Sequence, residues 1–137
     1  MTRQLSPQEA LIYAMITTSA TDNQMSDAEL RRIGTLVKEL PAFDGFDENT
    51  LVEHAQACGL LMSGQNGLDN VLESIAAGLP EHMRETCYVL ACEVAASDEV
   101  VKREEKRFLQ LLSQRLQLDH LTCAALARAA SARHQRP

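Results

Sequence analysis

Apolar residues recur along the chain at steps of three and four, the spacing that gathers side chains on one face of an α-helix. Leu11, Ile12, Met15, Ile16 and Ser19 form the first such face. Leu30, Ile33, Leu36, Val37 and Leu40 form a second, stopped by Pro41, and Leu51, Val52, Ala55 and Cys58 a third that ends near Met62. The starts are marked as well. Ser6-Pro7-Gln8-Glu9 combines an N-cap, a first-turn proline and a capping-box glutamate, Ser26-Asp27-Ala28-Glu29 is a second capping box, and Asp47 is the expected cap of the third helix. After the break Ser63-Gly64-Gln65-Asn66-Gly67, a short helix LDNVLESIAA runs to Gly78, and Leu79-Pro80-Glu81 opens a fifth carrying Tyr88, Ala91, Cys92, Ala95 and Ala96. A sixth begins near Lys102 and presents Phe108, Leu109, Leu111, Leu112 and Leu116. A seventh opens at Asp119, and the polar tail SARHQRP is expected to fray. The pattern predicts an all-α single domain of about seven helices, without a strand.

The halves of this pattern match. An offset of 76 residues places Ile12 on Tyr88, Ile16 on Cys92, Ala20 on Ala96, Asp22 on Asp98, Met25 on Val101, Glu29 on Glu105, Leu36 on Leu112 and Leu40 on Leu116. A loop shorter by four residues then brings Asp47-Glu48-Asn49-Thr50 over Asp119-His120-Leu121-Thr122. The chain therefore divides into two pseudo-repeated three-helix units, residues 6–62 and 79–134, linked by the short helix at 68–77. Apolar matches follow from packing alone. Asp22, Glu29, Asp98 and Glu105 do not, because nothing in an apolar pattern calls for an acid at a helix corner.

Composition sharpens this picture. With no Trp and only 4% aromatic residues, Leu, Ile, Val, Ala and Met must fill the core, a palette that suits helices. The net charge of -6 offers no cluster of cations for phosphates, which excludes nucleic acid as an expected partner. No secretory signal stands at the start and no apolar run approaches the roughly 20 residues needed to span a bilayer, so no direct membrane insertion is expected and the cytoplasm is the expected compartment. Four scattered cysteines, Cys58, Cys87, Cys92 and Cys123, read as reduced core thiols. Cys87 and Cys92 lie roughly 140° apart around a helix and share no face. His54, His82, His120 and His134 are dispersed, and no phosphate loop or nucleophile elbow occurs.

Two accounts of the four acids stand side by side. Glu29 suits a capping box, aspartates end helices, and Arg31, Arg32, Lys102, Arg103, Lys106 and Arg107 offer neighbouring charges for solvated ion pairs. In the second unit, however, Lys102 replaces Ser26, and an ammonium cannot accept a capping bond. Alternatively the two corners meet across a pseudo-two-fold axis and Asp22, Glu29, Asp98 and Glu105 surround a hard divalent cation, Ca²⁺ first, Mg²⁺ or Mn²⁺ next. The spacing around Asp22 and Asp98 is not that of an EF-hand, so an ion would sit between corners and not within one loop.

The duplicated motif A-x-D-x-x-[MV]-x-x-x-E, Ala20 to Glu29 and Ala96 to Glu105, resembles the tellurite-resistance TerB family over nearly the whole chain. Asn23 and Glu99 stand where members of that family often carry glycine. The resemblance implies an all-helical, non-catalytic cytoplasmic protein with an acidic metal site, linked to tellurite and other chemical stress and to protein partners at the membrane. The expected function is thus a module that binds a divalent cation and presents that state to a partner. A purely structural interaction domain without metal is the alternative. An enzyme using paired acids ranks last, for want of a nucleophile or cofactor motif.

Overall fold

Ten consecutive residues, Glu9 to Thr18, are buried. A helix enclosed on every side needs neighbours on every side, and the rest of the chain supplies them. The computed structural model describes residues 4–20, 25–98 and 101–137. Its helices are α1 (Pro7–Ser19), α2 (Asp27–Glu39), α3 (Leu51–Ser63), α4 (Gly67–Gly78), α5 (Arg84–Ala96), α6 (Arg103–Arg115) and α7 (His120–Arg133), and no strand occurs among the described residues. The expected single face of α1 was too narrow: α1 packs on α5, α3 and α4, with α2 and α6 completing its surroundings.

Helix α5 is the other central element, packed on α1, α7 and α6 and buried from Leu90 to Ala95. These are the two helices related by the 76-residue offset. Around them, Ile33 and Val37 of α2, Val71, Leu72 and Ile75 of α4, and Phe108, Leu112 and Leu116 of α6 close the core. Cys58 on α3 and Ala130 on α7, equivalent once the shortened loop is allowed for, are both fully buried. Burying side chains of this size contributes about 1.5–3 kcal/mol each, so the α1–α5 seam is the main source of stability.

Caps fix where the helices begin. Ser6 Oγ accepts from the Glu9 N–H at 3.1 Å, and Glu9 Oε1 accepts from the Ser6 N–H at 2.9 Å. Asp119 Oδ1 accepts from the Thr122 N–H at 2.9 Å to start α7, which holds the Asp119 carboxyl below its usual range. Two expected starts differ from the observed ones. Asp47 caps a short 3-10 turn, Glu48–Thr50, ahead of α3, and Pro80 precedes another, Glu81–Met83, ahead of α5. Tight turns of this kind are frequent at helix starts, and their sequence signals are those of the helix itself.

The expected fraying of residues 131–137 is also corrected. Helix α7 continues to Arg133, whose Nε lies 2.6 Å from Glu93 Oε1, with His134 Nε2 at 3.6 Å from the same oxygen. Glu93 is buried on α5. A carboxylate taken from water requires a cationic partner, and the end of α7 provides it.

The α3–α4 turn leaves no room for a side chain at Gly67, where an added Cβ would overlap the Met62 carbonyl group. Gly67→Ala should therefore lower the stability by about 1–3 kcal/mol in urea unfolding. An unchanged midpoint would show that the turn can relax at no cost.

Candidate metal centre at the helix corners

Three short pieces of chain converge: the first turns of α2, the end of α5, and the start of α6. Ser26 caps α2 by accepting from the Glu29 N–H at 3.1 Å, and its hydroxyl donates to Glu29 Oε1 at 3.2 Å. Half-buried Glu29 thus uses one oxygen locally. Its Oε2 is buried and has no hydrogen-bond partner among the described residues.

Glu105 repeats that arrangement by other means. Its Oε1 accepts from the backbone N–H of Lys102 at 3.2 Å. The expectation that losing Ser26's counterpart would leave Glu105 outside any cap is therefore corrected, since the reciprocal half of a capping box needs only the N-cap backbone N–H. Glu105 is 2% exposed, and its Oε2 also lacks a hydrogen-bond partner among the described residues. Each glutamate bonds locally at its helix start with one oxygen and buries the other without a hydrogen-bond partner among the described residues.

Asp98 is placed differently. Arg32 Nη1 donates to Asp98 Oδ1 at 2.7 Å and to Ser97 Oγ at 3.0 Å, an ion pair that joins α2 to the end of α5 across 66 residues of sequence. One of the expected neutralising pairs is thus present. Asp22 lies outside the described residues.

The acids are close enough to feel one another. Burial holds the Glu105 carboxyl above its usual range, and the charges of Asp98 and Glu29 add to the rise, against the pull of the Lys102 N–H and ammonium. Glu29, Asp98 and Glu105 are thus brought into one electrostatic neighbourhood. No group of three or more His, Cys, Asp or Glu side chains among the described residues is arranged as a metal shell. The donor set nonetheless suits a hard cation, since two buried carboxylate oxygens without partners are acceptors that only a donor or an ion can satisfy.

Other candidates are core groups. Burial pushes the thiol of Cys58 to about 11, Cys87 to about 12 and Cys92 to about 11. Burial raises the Tyr88 hydroxyl, and Cys92 of α5 and Cys123 of α7 beside it add to the rise. His54 Nδ1 lies 3.5 Å from Glu9 Oε2 and packs on Phe46, while His82 and His120 are exposed. The Glu93–Arg133 pair and the Tyr88 contacts were missed from sequence. Both join residues far apart in the chain, and only the burial of Glu93 within an apolar stretch of α5 hinted at the first.

The model of the family described as tellurite resistance protein TerB matches residues 8–135. This chain belongs to the TerB family. No curated protein and no solved structure matches it. The matched span runs from the second residue of α1 to beyond the end of α7 and includes all four of the expected acids. Among the described residues, no helix of this TerB protein is long and apolar enough to cross a membrane.

Two measurements follow for the TerB chain. With its folded pKa raised above the unfolded value, Glu105 contributes stability that is full below the ordinary glutamate range and is lost as pH rises through the folded value. In metal-free buffer Glu105→Gln should melt at or above the wild-type temperature at pH 7, its advantage shrinking on acidification. A variant less stable than wild type at pH 7 would show that the anion is needed without a metal. Cys58, Cys87 and Cys92 should resist a thiol reagent at pH 8 until urea unfolds the chain, and rapid labelling of native protein at any of them would contradict their burial.

Proposed function

We propose that this TerB-family chain is a non-catalytic module that binds a divalent cation through Asp22, Glu29, Asp98 and Glu105 and presents that state to a protein partner. Ca²⁺ is the first candidate and Mg²⁺ or Mn²⁺ the next, because the donors are all carboxylate oxygens. The single observation that supports this most is the pair of buried, unpartnered oxygens, Glu29 Oε2 and Glu105 Oε2, contributed by α2 and α6. A bound dication would supply the charge that these oxygens lack and relieve the repulsion among Glu29, Asp98 and Glu105. The setting proposed for such binding is the response to tellurite and other chemical stress, in the cytoplasm, with a partner at the membrane.

A second function is favoured by a different observation. Arg32 already neutralises Asp98, Glu105 caps α6, and Glu29 accepts from the hydroxyl of Ser26, the cap of α2, which is what a structural interaction domain without metal would need.

Thermal melting separates the two. A ligand that binds only the folded chain adds RT ln(1 + [L]/Kd), about 2.7 kcal/mol at a hundredfold excess over Kd, and the melting temperature should rise by on the order of 10 °C. Metal-stripped protein should show this rise with Ca²⁺, Mg²⁺ or Mn²⁺, and Asp22→Asn with Asp98→Asn should abolish it. No rise with any of the three would leave the structural domain as the function.

A further inference from the structure

We propose that Arg32 is a built-in counter-ion of Asp98 which an incoming divalent cation must displace, so that occupancy of the site decides where this guanidinium lies. The inference rests on the cation site proposed above and concerns its regulation. Arg32 Nη1 reaches both Asp98 Oδ1, at 2.7 Å, and Ser97 Oγ, at 3.0 Å. Its side chain is 42% exposed and that of Asp98 34%. Such a pair is screened by water and weakly held, sufficient to quiet Asp98 in the absence of an ion and easily given up to one. Glu105 has the Lys102 N–H on one oxygen, while its second oxygen is buried without a hydrogen-bond partner among the described residues. A dication bonded to both acids therefore gains what a guanidinium on one of them cannot.

The two units differ at this position. Under the 76-residue offset the counterpart of Arg32 is Phe108, which is 2% exposed and part of the core. The acids were duplicated and the counter-ion was not. Arg32 also borders a cleft of about 380 Å³ between α2, α5 and α7, alongside Leu36, Glu39, Val94 and Arg133. A guanidinium released from Asp98 stays at the rim of this cleft, where its charge is added to a surface that the ion itself does not touch. Displacement of Arg32 thus converts ion binding into a change of surface charge.

The test is calorimetric titration of metal-stripped protein with Ca²⁺, Mg²⁺ and Mn²⁺ separately, for wild type, Arg32→Gln and Arg31→Gln, with circular dichroism melts confirming that each variant is folded. Arg31→Gln makes the same charge change one residue away on the exposed side of α2. Arg32→Gln should bind about tenfold more tightly than wild type, and Arg31→Gln should stay within about twofold. The Arg32 side-chain N–H resonance, identified by its loss in Arg32→Gln, should move when wild type is saturated. If wild type binds an ion and Arg32→Gln is no tighter than Arg31→Gln, the counter-ion role is overturned while the site stands. If wild type binds none of the three ions, the site fails and this inference with it.

Discussion

The packing of α1 on α5 governs everything else in the molecule. Both helices are too apolar to tolerate water on any long face, and each finds in the other a partner of matching burial. Once they are joined, the ends of both units are set. Helix α2 of the first unit lies beside the end of α5, and Arg32 reaches Ser97 and Asp98. Charged groups that are distant in sequence meet because an apolar seam has already placed their helices.

Much of this was legible from residue types. The seven helices, their breaks at Pro41, at 63–67 and at Gly78, and the burial of Cys58, Cys87 and Cys92 followed from periodicity and turn chemistry, whereas Cys123, also expected in the core, is only half-buried. The 3-10 turns before α3 and α5 did not, because a tight turn and a helical first turn draw on the same residues. The pinned end of α7 was hidden for another reason. Arg133 and His134 look like a solvated tail until Glu93 is known to be buried opposite them, and that depends on how α7 crosses α5.

The acidic corners were legible only in part. Sequence matched Glu29 with Glu105 and assigned the capping box to the first alone, whereas the carboxylate that accepts a backbone N–H is that of Glu105, and Glu29 accepts only from the Ser26 hydroxyl. The second cap is made by a backbone N–H, which every residue except proline possesses and which therefore leaves no trace in the sequence. That each glutamate also keeps one oxygen buried and unpartnered is a property of packing. A protein selected only for stability gains little from such oxygens, since a buried acceptor without a donor costs about 1–3 kcal/mol. Their presence on α2 and α6 is the observation on which the proposed cation site rests.

The uneven burial of the outer helices has its own consequence. Ala130 is the one buried residue of α7, a helix held besides by half-buried Cys123, Leu126 and Ala127 and by the Glu93 contacts, whereas α1 is buried from Glu9 to Thr18. Local opening draws on the least buried units first. Helix α7 is therefore expected to exchange its amides sooner than α1 and α5, although its packing along α5 ties it to the central pair.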